Sequence, residues 1–260
     1  MQARKNKNGD RPKKRLPTKK HARSLLRSGA GSLIIESDDF LERIDRIMKT
    51  TVLLLRHAQS EGNLRRIYVG HSELPLSPLG LEQAKITADF IAKGNLPRPD
   101  VILSSDLIRA MQTALPTALA LGLPILPDRA LREIYSGCWE GKSMDELAAL
   151  TPECFRLWRE DPANSRPGEG ESMRELYRRI GDEFDRVVKT YRGKTVLLVT
   201  HATPIRCLHC RAVYGTVERM AEIDWFPNAS FTVLTEEDGV IREERGGFAG
   251  HLTGDYLFRE

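Results

Sequence analysis

Short unbroken apolar runs alternate along this chain with longer stretches whose apolar positions recur every three or four residues. "TTVLLLR" (50–56), "PDVILSS" (99–105), "LPILP" (123–127) and "KTVLLVT" (194–200) are runs of strand length. "LSPLGLEQAKITADFIAKG" (76–94) predicts a helix with Ser77 as N-cap, Pro78 as its first residue and Gly94 as its stop. Its apolar face is expected at Leu81, Ala84, Ala88 and Ile91. "DLIRAMQTALPTALALG" (106–122) predicts the next helix, with a kink expected at Pro116. Helices are expected around 143–160 and 171–191, divided by the loop "DPANSRPGEGES" (161–172), and over "TPIRCLHCRAVYG" (203–215). "ASFTVLTEEDGVIREER" (229–245) reads as a hairpin turning at Asp238-Gly239. Near the start, Phe40, Leu41, Ile44 and Ile47 have the spacing of a short amphipathic helix over 38–47.

Near-continuous apolar strands alternating with helices predict an α/β fold, a three-layer α/β/α sandwich on a mostly parallel central sheet. In such sheets ligands bind beyond the carboxyl ends of the strands. Two strands end in an unusual way there. "LLLR" delivers His57 directly after Arg56, and "LLVT" delivers His201.

Charge redraws the domain plan. Residues 1–28 hold eleven Lys/Arg against Asp10, a balance of +10, which leaves the other 232 residues at −6. Residues 1–47 are therefore expected to be a basic, disordered extension, and 48–260 the folded domain. A tail of this kind also suits nucleic acid or anionic lipid, but neither nucleic acid nor membrane is the expected partner. The whole chain of 260 residues is 40% hydrophobic and 29% charged, ordinary values for a globular protein. No apolar run approaches the roughly 18 residues of a membrane span. Four cysteines do not form a disulfide framework in a chain this long, which places the protein by default in a reducing cytoplasm.

Two strand-end histidines allow three readings. Metal ligation needs a denser Cys/His/Asp cluster than either has around it. Either one alone reads as a packed core histidine. Phosphoryl chemistry is the third: neutral imidazole is a competent nucleophile, and a transferring phosphoryl group needs fixed cations and N–H donors around its oxygens. Arg56 adjoins His57, and the helix after His201 offers N-terminal amides. "CLHC" (207–210) invites a metal or redox reading, but no second cysteine pair completes a zinc site.

"LLLRHAQSEGN" (53–63) resembles the arginine-histidine-glycine signature of the histidine phosphatase superfamily, the phosphoglycerate-mutase-like proteins. "LSPLGLEQA", "SSDLIRAMQTA", "LREIYSGCWEG", "RPGEGES", "VLLVTHATPIR" and "NASFTVL" resemble its successive blocks, in order, from about 50 to 250. The resemblance implies that His57 is the nucleophile and that Arg56, Arg109 and His201 bind the phosphoryl oxygens, with Asn63 and Ala202 beside them. Glu133 would protonate the leaving alkoxide and then activate water. No metal and no cofactor is implied, and the partner would be a small phosphorylated metabolite. A homodimer is left open, as is a substrate contact by Arg66.

The family's glycine after the first histidine is Ala58 here, and its usual Gly-Gly after the second is Ala202-Thr203. Methyl groups there are expected to crowd the pocket or shift its amides. "EIYSGCWEG" and the 161–172 loop are most similar to the small phosphatases, in particular α-ribazole phosphatase and its broad-specificity relatives. The alternatives are a cofactor-dependent phosphoglycerate mutase and a non-catalytic phospho-ligand-binding protein.

Overall fold

The computed structural model describes residues 49–257, which lie within one compact unit, Glu42–Glu260. The basic extension over 1–47 and the helix expected at 38–47 fall outside the described residues. Six strands form one sheet: β1 (Thr50–Arg56), β2 (Val101–Ser104), β3 (Ile125–Pro127), β4 (Thr195–Thr200), β5 (Phe231–Glu237) and β6 (Val240–Phe248). Their spatial order is β3-β2-β4-β1-β5-β6. The first four run parallel, and β5 and β6 are antiparallel additions at one edge. Asp238 and Gly239, with φ of 52° and 82°, make the two-residue turn between β5 and β6. Positive φ at both central positions matches the right-handed twist of a hairpin, which is why Asp-Gly predicted it.

Helices cover both faces, as the uninterrupted apolar strands require. Val52, Leu54, Leu103, Val196, Leu198 and Leu234 face a core shared with α6 (Met173–Thr190) and α7 (Ala202–Tyr214). Leu53, Leu55, Ile102, Leu197, Val199 and Phe231 face the opposite core with α2 (Pro78–Ala92) and α3 (Ile108–Leu121). Alternate residues of each strand thus go to alternate layers. The short helix α1 (Glu61–Arg65) follows β1, and α4 (Met144–Leu150) and α5 (Pro152–Glu160) precede the 161–172 loop.

One detail differs from the sequence pattern. Leu81 is exposed, because the buried arc of α2 runs through Gly80, Gln83, Ala84, Thr87, Ala88 and Ile91 and leaves Leu81 at its margin. Gly80 sets that arc: a Cβ there would overlap the Gln59 carbonyl, so the helix lies directly on the chain that follows His57. Pro116 lies inside α3, which runs on to Leu121.

Candidate active site

Register brings the two histidines together. β1 and β4 are parallel neighbours with Arg56 opposite Thr200, and the His57 N–H donates to the Thr200 carbonyl at 2.9 Å. One residue further on, the His57 and His201 rings stand edge to face with centroids 5.1 Å apart. β2 ends alongside, and Ser105, the residue after it, shares a 2.8 Å hydrogen bond between its Oγ and His201 Nε2. His201 is the N-cap of α7. The site therefore sits where three parallel strands end and a helix begins.

One bond decides the state of His57. A carbonyl oxygen can only accept, so at 2.7 Å from the Ala58 carbonyl His57 Nδ1 must carry the proton. Nε2 is then left with its lone pair. Burial, followed by the nearby Arg109 and Arg56 guanidinium groups, holds the imidazole pKa well below its ordinary value. His201 is pushed down in the same direction by burial, Arg109 and His57. Both rings are neutral at physiological pH, although cations surround them.

Those cations are built into the fold. Arg109 is almost wholly buried on α3, where its Nη1 donates to the Ser72 carbonyl at 3.0 Å and its Nη2 to the Gly70 carbonyl at 2.7 Å. Burial lowers its pKa to about 10, with Glu133, Glu140 and Glu73 opposing the fall, so it stays charged at neutral pH. Arg56 Nη1 donates to the Phe226 carbonyl. Asn63 closes a capping box with Ser60 at the start of α1. Its Oδ1 also accepts from Asn228 Nδ2, whose amide reaches the His57 carbonyl at 3.0 Å as well.

Glu133 lies in the connection after β3 and is buried. Its carboxylate accepts from the Ile134 amide at 2.8 Å and the Thr203 amide at 3.3 Å. Burial raises its pKa, and the amide hydrogen bonds only partly offset this. The segment is clamped from α6: Arg179 donates to the carbonyls of Ala130, Arg132 and Glu133 and pairs with Glu171.

The expected crowding does not occur at Ala58. Its methyl group belongs to a cluster with Leu76, Ala84, Ala229 and Leu252, and its amide donates to Thr113 Oγ1 at 3.0 Å. Ala202 is the first residue of α7, and the Thr203 amide is engaged with Glu133. Arg66 is exposed at the C-cap of α1. Cys207 and Cys210 are packed in the core, where burial pushes both thiols up, that of Cys210 to about 11. All four cysteines are free of disulfides. Among the described residues no group of three His, Cys, Asp or Glu side chains could hold a metal ion, and no helix is long and apolar enough to cross a membrane.

Ser105, Glu140, Arg179 and Asn228 were not singled out from sequence, although Ser105, Glu140 and Asn228 fall inside the blocks quoted above. Ser105 had the clearest signal, a polar residue one step beyond the end of a third apolar strand.

The model of the histidine phosphatase superfamily, branch 1, matches residues 52–246. A bifunctional protein of Mycobacterium tuberculosis is 39% identical over 160 residues, which are 61% of this chain and 43% of that protein. The chain thus spans less than half the length of the curated mycobacterial relatives it matches. Phosphoserine phosphatase 1 of Hydrogenobacter thermophilus is 33% identical over 187 residues, 72% of this chain and 87% of that one. A probable phosphoglycerate mutase of Yersinia pestis is 37% identical over 161 residues, 60% of this chain and 72% of that one. Among solved structures, a mycobacterial glucosyl-3-phosphoglycerate phosphatase superimposes with a TM-score of 0.71 at 28% identity, covering 77% of this chain and all of that one.

Proposed function

Since the chain belongs to the histidine phosphatase superfamily, branch 1, we propose that it hydrolyses the phosphomonoester of a small phosphorylated metabolite, without a metal, through a phosphohistidine on His57. The observation that carries this reading is the Nδ1–H bond from His57 to the Ala58 carbonyl, which presents Nε2 as a nucleophile. In the first step the Nε2 lone pair attacks phosphorus and the P–O bond to the leaving group breaks. Glu133, whose carboxyl pKa burial raises, gives its proton to the departing alkoxide. In the second step the Glu133 carboxylate takes a proton from water as the water oxygen attacks the phosphohistidine. Inorganic phosphate leaves and the neutral imidazole is restored.

The clamp on the equatorial oxygens is assigned to Arg56, Arg109 and His201, with Asn63 and the start of α7 at Ala202 beside them. We take the Ser105 hydroxyl as the donor to His201 Nε2, which puts the His201 proton on Nδ1, a buried nitrogen that meets no protein acceptor. That N–H is the donor to a phosphoryl oxygen. Fixed donors of this kind stabilise charge without reorganising as the reaction proceeds.

The pKa directions set the pH dependence. His57 must be neutral, and its pKa lies well below 6.5, so its protonation limits the rate only on the acid side of that value. Glu133 must be protonated, and its pKa is raised above 4.5, so activity falls as pH rises through that higher pKa. A profile of kcat/KM against pH is expected to be bell-shaped, with an acid limb below 6.5 from His57 and an alkaline limb above 4.5 from Glu133. A rate that climbs through neutral pH would assign the acid role elsewhere.

Relatives carry phosphatase and mutase names alike, and the fate of the phosphohistidine separates the two. Steady phosphate release is expected from a panel of monoesters including phosphoserine and α-ribazole 5′-phosphate, with no bisphosphate added and no loss in EDTA. Interconversion of 2- and 3-phosphoglycerate is expected to be negligible. Efficient interconversion dependent on a bisphosphate would make the protein a mutase and leave His57 in place as nucleophile.

A further inference from the structure

Glu140 stands in the "LREIYSGCWEG" block but has no part in the chemistry described above. Its carboxylate nevertheless collects an unusual set of donors. The amides of Gly70, His71 and Ser72 reach it at 3.1, 2.8 and 3.2 Å, and the hydroxyls of Ser72 and Ser136 at 2.6 and 2.7 Å. Three consecutive N–H groups turned towards one anion form a backbone nest. Gly70 has no room for a side chain, since a Cβ would overlap the Ile134 carbonyl and the Glu140 carboxylate.

The far side of the same loop faces Arg109. The peptide unit joining Gly70 to His71 has its N–H on Glu140 and its carbonyl on Arg109 Nη2 at 2.7 Å, and the Ser72 carbonyl takes Nη1 at 3.0 Å. In a trans peptide these two groups point in opposite directions. The peptide dipole is therefore held between a fixed anion and a fixed cation, and each bond polarises the other. A loop carbonyl by itself has little to fix its direction. This one is set by the carboxylate behind it.

We propose that Glu140 is a positioning residue for the reaction at His57, holding the 70–72 loop so that its carbonyls aim the Arg109 guanidinium at the phosphoryl group. The inference rests on the phosphatase reading above. A carboxylate is needed because every one of its five partners donates; a carboxamide would turn an N–H against some of them.

The test is a double-mutant cycle on the full chain, read as kcat/KM on p-nitrophenyl phosphate and as the inhibition constant of inorganic phosphate. Glu140→Gln is expected to lower kcat/KM about 10²-fold, the scale of a misplaced positioning group. It should weaken phosphate inhibition in the same direction. In an Arg109→Ala background the same substitution is expected to cost less than about 3-fold, because the group it positions is gone. Ser72→Ala removes only the 2.6 Å hydroxyl bond and provides a milder second cycle, which decides the matter should Glu140→Gln fail to fold. Losses that multiply in the double variants, or a Glu140→Gln enzyme equal to wild type, would overturn the inference alone. A wild type that neither hydrolyses the ester nor binds phosphate would overturn the phosphatase reading and the inference with it.

Discussion

His57→Ala is expected to abolish turnover and to leave no phosphate bound to the protein. Quenching the wild-type enzyme during turnover of a labelled ester is expected to trap acid-labile, base-stable phosphate, the signature of an N-phosphoryl bond. The variant should trap none, and its rate should fall by on the order of 10⁴-fold or more, as when a nucleophile is removed from a unit that works together. The size of the loss follows from the geometry. His57 Nε2 is the available lone pair, while His201 Nε2 is engaged with Ser105 and cannot replace it. The remaining groups are assigned to binding the dianion and would form no bond to phosphorus. The variant should stay folded, since Arg56 and Thr200 keep β1 and β4 in register and only a buried imbalance of one ring is introduced. Circular dichroism and Tm establish that. Robust activity in a folded His57→Ala protein would rule out the covalent mechanism.

The parts of the molecule legible in its sequence are those set by local pattern. The runs of β1, β2 and β4 became strands whose residues serve two cores at once, Leu53 and Leu54 facing opposite layers. Ser77 and Pro78 start α2, and Asp238-Gly239 turns the last hairpin, through their own backbone preferences. His57 and His201 were conspicuous because a polar residue at the end of a buried strand needs a reason. What stayed hidden depends on contacts between distant segments. Glu140 serves a loop some 70 residues earlier, and nothing near it in the chain says that three amides will turn towards it. The direction of the Ala58 methyl, into a cluster with Leu76 and Leu252, depends on how α2 lies over the strand end. Leu81 was misplaced for a similar reason: the close approach of Gly80 to Gln59 rotates the buried arc of the helix.

Glu133→Gln is expected to separate substrates by their leaving groups. An alkyl phosphate expels a strongly basic alkoxide, so its P–O cleavage needs a proton in the transition state. p-Nitrophenolate is stable in water and needs little. General acid assistance contributes about 10²- to 10⁴-fold, so kcat/KM for an alkyl ester should fall by that much more than for p-nitrophenyl phosphate. The ratio is more telling than either loss. Glu133 also accepts from the Ile134 and Thr203 amides, and glutamine, with one oxygen, cannot keep both bonds in the same form. Any shift at the start of α7 that follows is common to both substrates and cancels in the comparison. The acid limb set by His57 should persist in the pH profile of the variant, while the alkaline limb set by Glu133 should disappear. Burst kinetics provide a further check, because the role proposed for Glu133 includes activating the water of the second step. With p-nitrophenyl phosphate the variant should release one equivalent of nitrophenol quickly and then slow, as the proposed phosphohistidine accumulates. Equal losses on both esters, with no burst and an unchanged alkaline limb, would show that Glu133 is not the acid and that its burial serves only to hold the start of α7.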